Sequence, residues 1–167
     1  MMRDIKEMIA YLEKEDSFSK KLPYKEKVYQ MNFKTLVYKQ KENLDIQTNI
    51  PNDLRLFWQL VDKAVLFLDT DYGQWGLRIF SYSEALKESF LEKRNRSNDY
   101  IASDLVIGEF IGDLDKLVID CSQANFGRVF VSLPIDSRRD WHIVASSFQE
   151  FLNLYIEGRG EKFWENV

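Results

Sequence analysis

The chain contains one histidine and one cysteine, so any side-chain catalysis would have to start from these two residues. His142 stands between Trp141 and Ile143, and no nucleophile motif of the Gly-x-Ser-x-Gly type accompanies it. Cys121 closes an apolar run, which is typical of a buried thiol. Recognised zinc-ligand spacings and a glycine-rich phosphate-binding loop are both missing from the sequence. We therefore predict no catalytic residue, no metal site and no cofactor.

Two pairs of aspartates stand two residues apart: Asp69 with Asp71, and Asp113 with Asp115. On an extended backbone such a pair projects to one side, where it could hold a divalent ion or perform acid–base chemistry. Both pairs fall in predicted turns, where Asp is favoured because its carboxylate accepts backbone N–H groups. Turn formation is therefore the favoured interpretation. A third interpretation is that these carboxylates face a basic protein surface.

Large side chains near predicted loops add further candidates for recognition. Trp75 and Trp141 could each anchor a protein partner or plug the core, and the core interpretation is favoured. Arg138 belongs to the polar segment 136–140. The residues predicted to bind a partner are Asp69, Asp71, Trp75, Asp113, Asp115, Arg138 and Trp141.

The stretch 105–154 organises the rest of the chain, because it combines strand-like runs with a well-marked helix. The runs are rich in β-branched and aromatic residues and cover 105–111, 117–121 and 128–133. Short breaks containing Gly, Asn and Asp separate them, which favours antiparallel neighbours in a meander. Ser147 and Glu150 have the spacing of a capping box that opens an amphipathic helix.

Upstream, apolar residues recur at helical spacing over 3–15 and again after Pro51, which predicts two amphipathic helices. Val61 is expected on the second of these helices. The segment 16–41 offers both helical and strand spacings, and both remain open. Further predicted elements are a hairpin of 64–68 with 76–80, a helix at 83–91, a charged loop at 93–98 and a docked tail at 161–165.

The chain has 167 residues, of which 45% are hydrophobic, and this composition suits a single core. We predict an α+β fold: one domain with a mixed or mainly antiparallel sheet and helices packed against it. In this prediction residues 1–45 form a helical N-terminal extension packed on the body, and residues 46–167 form the core. The charged amino terminus and the lack of a membrane-length apolar run predict a cytoplasmic protein without membrane contacts.

The net charge of −4 is unevenly distributed along the chain. Residues 1–45 contain ten Lys and Arg against eight acidic residues, whereas residues 46–167 contain thirteen against nineteen. An acidic sheet region repels nucleic acid and attracts a basic protein, so a protein partner is favoured. A surface that is merely soluble explains the same charges equally well.

Four short strings resemble motifs of the SUKH superfamily, also called the Smi/Knr family, in the order of that family. Residues 50–57, IPNDLRLF, resemble its Leu-Pro-x-x-hydrophobic-x-x-Phe helix. The other three are 107–118, similar to its strand, Gly-Asp turn and strand; 127–130, similar to its Gly-x-Val-Tyr strand; and 144–152, similar to the start of its last helix. The chain departs from the family at 62–64, where many members carry Asn-Gly-Gly.

The resemblance implies an α+β domain without catalytic residues. Bacterial members of the family resemble immunity proteins that bind and neutralise toxins, often nucleases, and the yeast members are regulators. We therefore expect a non-enzymatic immunity protein that binds a cognate toxin domain with a basic surface. The alternative is an intracellular scaffold or regulatory protein of the Smi/Knr type, followed by a small-molecule-binding or hydrolytic domain. The oligomeric state stays open.

Overall fold

The computed structural model describes residues 2–15 and 17–166, and within them the chain forms four α-helices and one eight-stranded antiparallel sheet. The helices are α1 (Ile5–Lys14), α2 (Asn52–Leu60), α3 (Tyr82–Asn95) and α4 (Phe148–Glu157). The strands are β1 (Ser17–Tyr24), β2 (Lys27–Lys39), β3 (Val61–Asp69), β4 (Leu77–Ile79), β5 (Asp104–Phe110), β6 (Lys116–Asp120), β7 (Arg128–Ser132) and β8 (His142–Ala145). Strand order follows the sequence from β1 to β8, so the predicted α+β fold and its antiparallel meander are confirmed.

The N-terminal extension is helical only in α1, because residues 17–39 form the hairpin of β1 and β2. Burial alternates along β2: Phe33 and Thr35 are buried, whereas Lys34 between them is exposed. This period of two belongs to a strand with one covered face, and it decides between the two spacings left open by the sequence. The expected helical character of the extension is therefore confined to α1, and the segment left open forms strands.

Two expectations near helix ends also need correction. Val61 does not lie on α2, because its backbone is extended and it begins β3 opposite Lys39. At the start of α4 the Ser147 hydroxyl accepts the Glu150 N–H, but the Glu150 carboxylate accepts hydrogen bonds from Ser146 instead of closing a capping box. These hydrogen bonds from Ser146 lower the pKa of Glu150.

Three helices cover one face of the sheet and build the main core with it. Helices α1, α2 and α4 pack against one another, with α1 lying against β2, α2 against β3 and α4 against β7 and β8. Phe57 of α2 meets Phe148 of α4 edge to face, with ring centroids 5.2 Å apart. Helix α3 instead lies along β5, where its Ser89 hydroxyl accepts the Val106 N–H at 2.8 Å. Because β4 is short, α3 covers the part of β5 that β4 leaves unpaired.

The opposite face of the sheet is open across β2 to β4. Leu36, Val65 and Arg78 are paired in register from strand to strand, so their side chains project to the same side. Leu36 and Val65 are half-buried and Arg78 is exposed, which leaves an aliphatic and cationic row in contact with solvent. We call Leu36, Val65 and Arg78 the open face. No helix among the described residues has the length and apolar character needed to cross a membrane.

A β-bulge in β3 prepares the site where the C-terminal segment docks. Phe67 adopts a left-handed backbone with φ 53°, and its N–H donates to the Thr35 hydroxyl at 3.1 Å. The bulge turns both Leu66 and Phe67 into the core. Gly160 lies against this ring: a Cβ added at Gly160 would be 2.6 Å from the Phe67 Cβ.

Candidate functional site

The seven residues predicted for recognition fall at opposite ends of the hairpin of β5 and β6. One group surrounds the β5–β6 turn and the C-terminal segment, and the other surrounds the ends of β5 and β6 that lie away from this turn. We call the first the tail cluster, made of Trp75, Asp113, Asp115 and Lys162. We call the second the arginine cluster, made of Asp104, Asp120, Arg138 and Trp141.

Lys162 is the centre of the tail cluster, and its side chain is only 5% exposed. Its ammonium pairs with Asp113 and lies 3.5 Å from a carboxylate oxygen of Asp115. The same ammonium is 5.5 Å from the Trp75 ring centroid and 5.2 Å from the Phe110 centroid, within the range of cation–π attraction. Carboxylates and aromatic rings of the body thus hold the C-terminal segment in place.

Asp113 and Asp115 belong to a turn, as the sequence analysis favours. The Asp115 N–H donates to an Asp113 carboxylate oxygen at 3.2 Å. Asp115 is buried, and this burial raises the pKa of its carboxyl, with the charge of Asp113 acting in the same direction. Lys162 opposes the shift without cancelling it.

Asp69 and Asp71 also belong to a turn. Asp69 is buried and its carboxylate accepts the N–H groups of Asp71 and Tyr72, at 2.9 and 3.1 Å. Asp71 is exposed, and its carboxylate accepts the Asn32 N–H at 2.9 Å. The two carboxylates therefore shape the β3–β4 loop and tie this loop to β2.

Arg138 is the centre of the arginine cluster. Its guanidinium donates to both carboxylate oxygens of Asp104 and lies 3.5 Å from Asp120. These two aspartates face each other across β5 and β6, and each residue is 1% exposed. The guanidinium carbon is also 5.2 Å from the ring centroids of Phe130 and Trp141. A single cation therefore compensates two buried acids.

Trp141 is a buried core residue. Its indole N–H donates to the Asp136 carbonyl, and its ring packs against Tyr100 with centroids 4.8 Å apart. Arg96 stacks on the same ring and donates to the Leu133 carbonyl at 3.0 Å. The Tyr100 hydroxyl donates to Ser132 in a buried setting, and this burial raises the pKa of Tyr100.

Cys121 and His142 are the only cysteine and the only histidine of the chain, and their surroundings do not support a catalytic role. Burial raises the pKa of Cys121 to about 11, so the thiol stays protonated and weakly nucleophilic at neutral pH. His142 is half-exposed in β8, where it pairs with Val131. Among the described residues no group of three or more His, Cys, Asp and Glu side chains could hold a metal ion.

Among the depressions on the described surface are a groove and a smaller pocket. The larger is a polar groove of 710 Å³ between the stretch 37–44 and the start of α3. The smaller is a pocket of 310 Å³ lined by Met31, Phe33 and Trp75, with Lys20, Arg159 and Glu161 also contributing. Trp75 is therefore the one residue of the predicted set that lines this smaller pocket.

The structure separates the predicted residues by accessibility. Asp71 and Asp113 are exposed, and half-buried Trp75 presents part of its ring to the smaller pocket. Buried or inward-directed members of the set are Asp69, Asp115, Arg138 and Trp141. Sequence reasoning missed Lys162, Arg96 and Asp104, because each is recognisable only through partners distant in the chain. Partner binding by the seven residues stays a prediction.

A comparison with known protein families matches residues 41–154 to the SMI1 / KNR4 family (SUKH-1). The matched region runs from the end of the N-terminal hairpin into α4 and includes the arginine cluster. Comparison with curated proteins and with solved structures found no match. Because the family match covers more than half of the chain and includes β3 to β8, the resemblance seen in the sequence is confirmed. The chain belongs to the SMI1/KNR4 family (SUKH-1).

Proposed function

We propose that this chain is a non-enzymatic immunity protein, which binds a cognate bacterial toxin domain and neutralises it through a protein–protein interface in the cytoplasm of the producing cell. Membership of the SUKH-1 family over residues 41–154 carries the proposal. Domains of this family are generally non-catalytic, and the bacterial members resemble immunity proteins.

The open face supports the proposal as a contact surface. It presents Leu36 and Val65 next to Arg78 on the rigid strands β2, β3 and β4. Aliphatic area bordered by charge is the composition of many protein interfaces, where buried apolar contacts give affinity and the polar rim gives register. A sheet surface of this kind needs no rearrangement to receive a partner.

The acidic charge of the chain also supports the proposal. Residues 46–167 are acidic overall, and such a field accelerates encounter with a basic toxin domain. The four aspartates of the predicted contact set form hydrogen bonds or ion pairs within the chain itself. In our proposal these four act through the long-range field, and the open face provides one of the contact surfaces.

Co-expression tests the proposal directly. Candidate toxin domains are induced in bacteria with and without this chain, and survival is measured together with affinity between the purified proteins. We expect rescue by one toxin class and a one-to-one complex. The matched variants are Val65→Lys on the open face and Ile135→Lys, whose side chain is 94% exposed in the segment after β7. Rescue should be lost with Val65→Lys and retained with Ile135→Lys, both folded.

The alternative function is a scaffold or regulatory protein of the Smi/Knr type, which the family assignment supports equally. Such a protein has several partners of modest affinity and rescues no cell from a toxin. Pull-down from the native cell, followed by affinity measurement for each partner, separates the two functions. Absence of rescue across toxin classes, combined with several weak partners, would replace our proposal with this alternative.

A further inference from the structure

The pocket of 310 Å³ lies between the N-terminal hairpin and the turn that follows α4. Its apolar surface comes from Met31, Phe33 and Trp75, and its charged side chains are Lys20, Arg159 and Glu161. Five of these six residues lie outside the region 41–154 that matches the family. The pocket is therefore built mainly by segments outside the matched region.

The walls of the pocket are fixed by contacts beneath it. The Trp75 indole N–H donates to the Gly160 carbonyl at 2.9 Å, and Lys162 lies under the Trp75 ring. Phe33 stacks on Phe18 with centroids 5.3 Å apart. A preformed apolar cavity of this kind binds an anchor side chain without the entropic cost of ordering its own walls.

The charges around the pocket are unbalanced. Lys20 pairs with Glu161 at 2.5 Å, and this ion pair links the hairpin to the C-terminal segment. Arg159 is exposed and its guanidinium lies over the Phe18 ring, 5.2 Å from the centroid. No carboxylate in the described part of the chain is within salt-bridge distance of Arg159. The described side chains that line the pocket therefore carry one surplus positive charge.

We propose, resting on the proposed function, that this pocket receives an aromatic side chain of the partner protein and that a neighbouring carboxylate of the partner pairs with Arg159. The volume lies at the lower end of the range of ligand pockets, about 300 to 1,000 Å³, and suits one large side chain rather than an extended ligand. Aromatic anchors in apolar pockets are the commonest dominant contacts of protein interfaces. The Arg159 guanidinium, which pairs with no carboxylate of the described residues, selects an acid beside that anchor, because Arg pairs with carboxylates in a bidentate geometry.

A random heptapeptide library displayed on phage tests the proposal with the full-length chain as bait. Arg159→Glu and Met31→Trp, which fills the pocket, serve as altered baits. Arg139→Glu is the matched charge reversal, since the Arg139 side chain is 88% exposed in the segment between β7 and β8. We expect peptides that carry Phe, Tyr or Trp within two positions of Asp or Glu. Their enrichment should fall at least about tenfold on Arg159→Glu and on Met31→Trp, a change of about 1.4 kcal/mol in binding, and persist on Arg139→Glu.

A selected peptide is then titrated into the ¹⁵N-labelled chain, and the indole N–H signal of Trp75 is followed. This signal is assigned with Trp75→Phe, and each bait is checked by its unfolding midpoint. A shift of the Trp75 signal supports the proposal. Selected peptides without the aromatic–acid pattern, or equal enrichment on wild type and Met31→Trp, would overturn it.

The outcome is separable from that of the proposed function. If a toxin is neutralised but neither pocket variant weakens its binding, the pocket assignment is wrong and the immunity function stands. If peptides of the expected pattern occupy the pocket but no toxin is neutralised, the pocket assignment stands and the immunity function is wrong.

Discussion

The arginine cluster and the tail cluster each pair one cation with two aspartates, but the cation is an arginine in the first and a lysine in the second. Each places one long cation against two aspartates and over aromatic rings. In the arginine cluster both aspartates are buried, and the planar guanidinium of Arg138 binds one of them through two hydrogen bonds. In the tail cluster the cation is Lys162, and the Asp113 side chain is 46% exposed.

The two clusters also differ in the parts of the chain that they join. Asp104, Asp120 and Arg138 all lie within the matched region 41–154, and their contacts join β5, β6 and the segment before β8. Lys162 lies beyond that region and joins the C-terminal segment to the body. The first cluster therefore joins elements within the matched region, and the second secures the C-terminal segment, which forms one side of the pocket.

Removing the arginine should have the largest effect. Arg138→Ala leaves Asp104 and Asp120 buried without a cation, and we expect a loss of about 3 to 5 kcal/mol in the free energy of unfolding. Urea denaturation at pH 7 measures this change. Arg139→Ala, at a neighbouring exposed position, should change stability by less than about 0.5 kcal/mol. Equal losses in the two variants would show that the cluster is not a scaffold feature.

Next in size is a substitution that displaces the C-terminal turn. Gly160 has φ +84°, and a Cβ there would meet the Phe67 ring. Gly160→Ala should therefore cost about 2 to 3 kcal/mol, since a left-handed backbone and an overpacked contact both disfavour the added methyl group. Gly73→Ala is the control, because Gly73 has φ +65° but nothing within 4 Å of an added Cβ. A loss no larger than that of Gly73→Ala would mean that the turn at Gly160 accommodates the methyl group without strain.

Lys162→Met should cost about 2 kcal/mol at pH 7, less than Arg138→Ala because Asp113 can turn to solvent. The loss should shrink as the pH falls. Burial already raises the pKa of Asp115, and without Lys162 its native-state pKa rises further above the unfolded value. The folded protein then favours the protonated carboxyl. Its free energy of unfolding falls as the pH rises through the native-state pKa of Asp115.

Denaturation of Lys162→Met between pH 4 and pH 8 measures this dependence. Adding Asp115→Asn should remove it, because the buried carboxyl that loses its cation in Lys162→Met is then absent. The prediction fails if the loss for Lys162→Met is the same at pH 4 and pH 8.

The smallest effect is expected at the exposed member of the tail cluster. Asp113→Asn should change the free energy of unfolding by less than about 1 kcal/mol, as is usual for a solvent-exposed ion pair. It should nevertheless lower the pKa of Asp115, because the Asp113 charge is one cause of the raised value. Carboxyl ¹³C titration by NMR measures the shift, and an unchanged or higher pKa would contradict the role given to Asp113.

The strands that sequence predicts well are those with strong local signals. The runs that became β5, β6 and β7 are apolar and separated by short turns, so their pairing needs only neighbouring residues. The edge strand β8 was not predicted, because it has four residues and pairs on one side only. The hairpin of β1 and β2 stayed ambiguous, since its many charged residues weaken both periodicities.

The clusters were harder to predict than the strands, because their partners are far apart in sequence. Lys162 pairs with Asp113 across 49 residues, and Arg138 with Asp104 across 34. The role of Arg96 was equally hard to predict, because its segment, 93–98, has the composition of a solvated loop. Residues 93–95 nevertheless extend α3, and Arg96 donates to the carbonyls of Leu133 and Asp136. Composition alone does not indicate such long-range carbonyl acceptors.

The sequential strand order has a consequence for how the chain folds during synthesis. Each strand pairs with the one made just before it, so the sheet can grow hairpin by hairpin as the chain leaves the ribosome. Helix α1 is made first and can pack on β2 and α2 early, whereas its contact with α4 forms only at the end of synthesis, when Gln149 donates to the Arg3 carbonyl 146 residues earlier. Ribosome-bound chains that end before α4 should therefore be cleaved by protease in α1 faster than chains that include α4. The amino-terminal helix completes the fold only when the carboxyl-terminal helix arrives.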